Sequence, residues 1–229
     1  MKKKFMCMFM AAAMTLSMAA CGSKGDDVNN DANAGGASDG VQTFTVGTSG
    51  PLTGDNAIYG MAVKQGVELA VNEINASDST IKFEFLSQDD EADGEKAVNA
   101  YNTLKDWGLQ VLAGPVTTTP SIAVAAETAN DNLFMMTPSA SAPAVIESGD
   151  NVFQICFTDP NQGVASADYI AENKLGTKVG IIYDSSDAYS SGIYEKFKAE
   201  AVAKNLEIVT AEAFTADNKS DLSTHCLLY

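Results

Sequence analysis

Arginine is absent from this chain of 229 residues, so its 14 cationic side chains are all lysine. No guanidinium fork is available to grip a carboxylate or a phosphate at two points. Lysine is also outnumbered, since 30 Asp and Glu give a formal net charge of −16. That balance excludes nucleic acid as a partner, because phosphate neutralisation demands clustered Lys and Arg. Histidine occurs once, at His225, which leaves a Ser-His-Asp or Cys-His relay almost no material. No phosphate-binding G-x-x-x-x-G-K-[ST] loop occurs. Residues 89–94 faintly mimic a calcium loop, but the twelfth position would be Ala100 and a strand precedes it, so a solvated acidic turn is expected. Asp89 and Asp90 are adjacent and point in different directions, a poor start for paired-carboxylate hydrolysis. We read the chain as a binder and not an enzyme, with no cofactor and no metal.

Cysteine is also scarce. Of four residues, Cys7 and Cys21 lie near the N-terminus, and only Cys156 and Cys226 remain beyond it. This is no disulfide framework. Lys2, Lys3 and Lys4 precede an apolar run over residues 5–20, shorter than the roughly 20 residues of a membrane span. Met18-Ala19-Ala20-Cys21 closes it with small residues and a cysteine, the order of a cleaved secretory signal. It resembles a bacterial lipobox, which implies cleavage before Cys21 and lipidation of its thiol. Residues 22–40 are mainly Gly, Asp, Asn, Ser and Ala, too polar to offset their ordering entropy, and are expected to form a flexible tether.

Beyond the tether, strand and helix patterns alternate. Strands are expected at 44–47, 81–85, 111–113, 133–136 and 152–157, with helices at 59–75, 97–107 and 121–129 between them. The helix at 59–75 carries Val63, Val67, Val71 and Ile74 on one stripe, whereas Ile81, Phe83 and Phe85 alternate at strand period. The pattern restarts near Thr158-Asp159-Pro160, with helices at 161–173 and 192–204 and strands at 179–183 and 206–209. Alternation of this kind predicts an α/β fold with parallel sheets and right-handed crossovers. The expected organisation is a signal at 1–20, a tether at 21–42, a first lobe at 43–158 and a second at 159–229.

Two hydroxyl-rich loops follow apolar strands. The first, residues 114–120, contains Thr117, Thr118 and Thr119, and the second, residues 137–141, contains Thr137, Ser139 and Ser141. At the carboxyl ends of parallel strands such loops lead into helix N-termini, where N–H groups and hydroxyls hold a carboxylate without any cation. With Gly50-Pro51-Leu52-Thr53-Gly54, the segment GVELAVNEINA at 66–76 and the acidic turn at 88–92, this order closely resembles the substrate-binding proteins of branched-chain amino-acid ABC transporters, of the periplasmic-binding-protein type I fold. Residues 151–163 and 181–192 carry the likeness further.

The resemblance implies a ligand site. Tyr59 resembles the first-lobe tyrosine over the bound side chain, and Thr118 the residue that binds the α-carboxylate. Ser139 and Ala140 resemble the residues whose carbonyls meet the ammonium, Ser141 the second hydroxyl partner, and Tyr189 the second-lobe tyrosine that closes over the ligand. Some relatives carry a disulfide where this chain has Ala92 and Thr117. The implied partners are a small amino acid, an ABC permease and the membrane through a lipid at Cys21, with the protein itself expected to be a monomer; a ligand-sensing receptor domain for amino acids or amides is the alternative. The implied location is the outer side of the cell membrane. Residues 224–229 look unrelated to the family, which continues further, so the chain is expected to stop inside its second lobe. The family's acidic partner for the ammonium is implied to lie in the part not reached.

Overall fold

The computed structural model describes residues 40–218. The expected signal, Cys21, most of the expected tether, His225, Cys226 and the tail at 224–229 lie outside the described residues. The first layer is β1 (Gln42–Gly50), α1 (Ala57–Ala76), β2 (Ile81–Asp89), α2 (Gly94–Trp107), β3 (Val111–Ala113), α3 (Thr118–Asp131), β4 (Phe134–Thr137), a 3₁₀ turn (Pro143–Glu147) and β5 (Val152–Gln154). The five strands form one parallel sheet in the order β2-β1-β3-β4-β5. Then come α4 (Asp159–Glu172), β6 (Lys178–Asp184), α5 (Ala188–Ala203) and β7 (Glu207–Phe214), with β6 and β7 paired in parallel. The expected α/β class is observed.

The first core forms where α2 and α3 press one face of the sheet. Ala97, Tyr101 and Leu104 recur at helical spacing on α2 and pack with Val124, Ala125, Leu112 and Met135, all fully buried. Burial of each such large apolar side chain contributes about 1.5–3 kcal/mol. Asp93 caps α2 by accepting from the Lys96 N–H at 2.9 Å, and Gly108 ends it at φ 102°, a left-handed value that glycine adopts without strain. On the opposite face α1 lies over β1 and β2. There Asn75 donates to the Phe83 carbonyl at 2.7 Å and accepts from the Phe83 N–H at 2.8 Å, which pins α1 to β2. Gly60 lets α1 approach the preceding loop, because a Cβ there would sit 1.9 Å from the Pro51 carbonyl oxygen.

The second core is smaller, with Ala167, Phe197, Ala201 and Leu206 buried between the two helices and the β6–β7 pair. Gly163 permits that helix crossing, since a Cβ would lie 2.5 Å from the Ile193 carbonyl. Tyr183 and Tyr194 stack at 4.0 Å beside it.

Several expected bounds move. The helix expected at 121–129 starts three residues earlier, at Thr118, because Thr119 and Pro120 fit a first turn whose N–H groups need no intrahelical acceptor. The strand expected at 152–157 ends at Gln154. Ile155 still donates to the Thr137 carbonyl at 3.4 Å, after which the chain leaves the sheet toward α4. The helix expected from 192 begins at Ala188, capped by Asp187, so Tyr189 lies in its first turn.

Candidate functional site

The loops at the carboxyl ends of β1, β3 and β4 face the start of α5 across a cleft of about 800 Å³. Tyr59, Thr118, Ser139, Ala140, Ser141 and Tyr189 all line this one cleft. Residues from four separate stretches of chain thus meet where an open parallel sheet places its ligands.

Cross-links between the hydroxyl loops explain how the cleft wall is built. The Thr137 hydroxyl donates to the Pro115 carbonyl at 2.7 Å and accepts from the Ala140 N–H at 3.0 Å. Ser121 donates to that same Pro115 carbonyl at 3.0 Å, and the Gly114 N–H donates to the Met136 carbonyl at 2.9 Å. The loop after β3 and the loop after β4 are therefore one bonded unit. Thr118 opens α3 from this unit, buried but bordering the cleft, with the unpaired N–H groups of a helix N-terminus beside it. Thr117, at the N-cap, makes no side-chain cap bond, and its hydroxyl is buried without a partner.

Ala140 departs from the expected role. Its carbonyl already accepts from Gln154 Nε2 and, at 3.2 Å, from Cys156 Sγ. Both lone pairs are taken. Between the two carbonyls expected to meet an ammonium, Ser139 offers the more available one. Ser141 donates its hydroxyl proton to Asp159 Oδ1 at 2.5 Å, while the Asp159 N–H donates to the Ser141 carbonyl at 3.0 Å. A serine hydroxyl has one proton, so the Ser141 oxygen can meet a ligand only as an acceptor. Asp159 is 1 % exposed and its Oδ2 has no partner. Burial pushes its pKa up, opposed by the Ser141 hydroxyl and reinforced by Asp187.

Tyr59 sits in the first turn of α1 and is 59 % exposed. Tyr189 donates to Gln162 Oε1 at 3.2 Å, an orienting contact between α5 and α4. Asp93, Asp184 and Asp187 also line the cleft, and among the described residues no lysine does. Ala92 and Thr117, where the family resemblance implies a disulfide in some relatives, are both on its wall. Asp159, Cys156, Phe157 and Gln162 escaped sequence reasoning. Asp159 was visible only as a boundary signal in Thr158-Asp159-Pro160. Cys156 and Phe157 were read as strand.

The acidic turn is built inward. Asp89 accepts from the Leu52 N–H at 2.8 Å, the Thr53 hydroxyl at 2.6 Å and the Glu91 N–H at 3.0 Å, fastening the loop that leads to α1. Burial pushes its pKa up, but the Thr53 hydroxyl and the backbone donors outweigh that and hold it below the ordinary value. Among the described residues, no group of three or more His, Cys, Asp or Glu is arranged to hold a metal. No described helix is long and apolar enough to cross a membrane.

Residues 43–228 match the family model described as periplasmic binding protein, and the chain belongs to that family. A curated relative, the Leu/Ile/Val-binding protein BraC3 of Rhizobium johnstonii, is 33% identical over 179 residues, covering 77% of this chain and 48% of that protein. Among solved structures, the branched-chain amino-acid transporter substrate-binding protein LivJ of Streptococcus pneumoniae, in complex with isoleucine, superposes with TM-score 0.74. It is 26% identical, over 80% of this chain and 53% of that one. A solute-binding protein of an ABC transporter from Rhodopseudomonas palustris, in complex with 3,4-dihydroxy benzoic acid, gives TM-score 0.69 at 22% identity, over 76% of this chain and 47% of that one, a likeness of fold. The chain spans about half the length of the relatives it matches.

Proposed function

We propose that this protein captures a small aliphatic amino acid outside the cell for an ABC importer. One observation carries the reading: among the described residues, the cleft pairs neutral donors with carboxylates and has no lysine in its lining. Thr118 and the N-terminus of α3 suit a carboxylate. On the same cleft, the Ser139 carbonyl, the Ser141 oxygen and the aspartates Asp93, Asp184 and Asp187 suit an ammonium. A zwitterion satisfies both sides. An aromatic acid such as that bound by the Rhodopseudomonas palustris protein has no cation for the acidic side, so an amino acid is the better match. The ligands of BraC3 and LivJ support the same choice.

Thr118→Ala is expected to weaken leucine binding by about 1.5 kcal/mol, the low end for a hydrogen bond to a charged group, because the N–H groups of α3 remain. Titration calorimetry that finds the affinity unchanged would remove Thr118 from the site.

The same reading places the protein on the membrane surface through a lipid on Cys21, supported by the order of lysines, apolar run and small residues before it. Cys21→Ser is expected to move the protein from the membrane fraction to the soluble fraction in a bacterial host. An undiminished membrane fraction rejects the anchor.

A further inference from the structure

We infer that Phe157 is a specificity-determining residue whose ring forms the floor for the ligand's apolar side chain. The inference rests on the amino-acid reading and adds to it a residue outside the six expected from sequence. Phe157 is 65 % exposed and borders the cleft. It belongs to the short segment between β5 and α4, where sequence periodicity had placed a strand.

That segment is fixed beside the polar half of the site. Ile155 donates to the Thr137 carbonyl at 3.4 Å, Cys156 Sγ to the Ala140 carbonyl at 3.2 Å, and the Asp159 N–H to the Ser141 carbonyl at 3.0 Å. Two backbone bonds and one from the Cys156 side chain, on either side of Phe157, hold the segment against the loop that carries Ser139 and Ser141. The Phe157 backbone is thus held beside the groups expected to hold the ammonium. Its two cleft-lining aromatic companions, Tyr59 and Tyr189, each carry a hydroxyl, and that of Tyr189 is engaged by Gln162. Phe157 brings carbon alone. A large apolar side chain left in contact with water on a concave surface loses hydration when a ligand covers it, and the gain grows with the apolar area covered. It therefore discriminates by side-chain size, whereas the hydroxyls and carboxylates see the same zwitterion in every amino acid.

Calorimetric titration of the protein and its Phe157→Ala variant with leucine and with alanine tests this. The expected result is a loss of about tenfold for leucine and less than about twofold for alanine, because alanine has little side chain to lay on the ring. Phe157→Leu should fall between wild type and F157A for leucine, and it carries the same comparison if F157A does not fold. Equal losses for both ligands, or no loss for leucine, overturn the inference. Wild-type protein that binds neither amino acid overturns the amino-acid reading and this inference with it, a result distinct from the other two.

Discussion

Asp159→Asn is expected to weaken leucine binding by about 2–3 kcal/mol while leaving its des-amino analogue, 4-methylpentanoate, nearly unaffected. The asymmetry follows from the bond between Ser141 and Asp159. With its single proton committed to the carboxylate, Ser141 shows the cleft only lone pairs, and a ligand ammonium is the natural donor to them. The Asp159 charge then lies two hydrogen bonds from the ammonium, about 5 Å by ordinary bond lengths. Opposite charges at that separation attract by roughly 3 kcal/mol at the effective dielectric typical of protein sites. Asparagine preserves shape and an acceptor oxygen for Ser141 but removes the charge. A bland alternative exists, since Asp159 opens α4 and an acid in a first turn favours the helix dipole. Its carboxylate, however, accepts from Ser141 and not from the free N–H groups of α4. If helix stability were its whole role, the substitution would weaken both ligands alike. Titration of both ligands at pH 7.5 separates the cases, and equal losses would reject the charge relay.

Legibility of this molecule divides along a physical line. Elements with a strong period were readable: β3 lies at Val111–Ala113 as expected, and the Ala97, Tyr101 and Leu104 stripe became the first core. Polar strand ends were not. β2 was expected to stop near Phe85, yet Ser87, Gln88 and Asp89 continue the ladder opposite Thr48, Ser49 and Gly50. Backbone pairing alone holds those residues, and side-chain hydrophobicity does not report it. β7 likewise runs through Thr210 and Glu212 to Phe214, well past Val209. Because functional groups sit at the ends of parallel strands, the hardest part to read is where the site lies. The resemblance to a known family supplied Tyr59, Thr118 and Tyr189, which periodicity alone could not single out. Asp159 meets Ser141 across 18 positions, and no local pattern encodes that meeting. The occupied carbonyl of Ala140 depends on Gln154, the last residue of β5, and on Cys156 just beyond it, a meeting across 14 and 16 positions that no local pattern encodes.

Asp90→Asn is expected to stabilise the protein by about 1–3 kcal/mol at pH 7.5 and to have little effect near pH 4. Asp90 is fully buried just beyond β2, where its Oδ1 accepts from the Ala92 N–H at 3.0 Å. Its Oδ2 and the nearby Ser49 hydroxyl form no hydrogen bond of good geometry, although Ser49 is close enough to favour the ionised carboxyl. Burial raises the Asp90 pKa from 3.8 to about 6, aided by the charges of Asp89 and Asp93 and opposed by the Ala92 N–H and the Ser49 hydroxyl. The folded state therefore holds the Asp90 proton more tightly than the unfolded chain. Between pH 3.8 and about 6 the folded form binds more protons, so stability falls as pH rises through that window. Above it the full cost of ionising a buried carboxyl is present, and below it the group is neutral in both states and the cost vanishes. Asparagine keeps the acceptor for Ala92 and offers an N–H₂ donor toward Ser49 in place of the unpartnered oxygen. Because every other titrating group is common to both proteins, the difference between variant and wild type isolates Asp90. At roughly 2–4 °C per kcal/mol for a chain of this size, the melting temperature should rise by about 3–10 °C at pH 7.5. A gain of the same size at pH 4 and pH 7.5 would show that packing, and not the charge of Asp90, sets the effect.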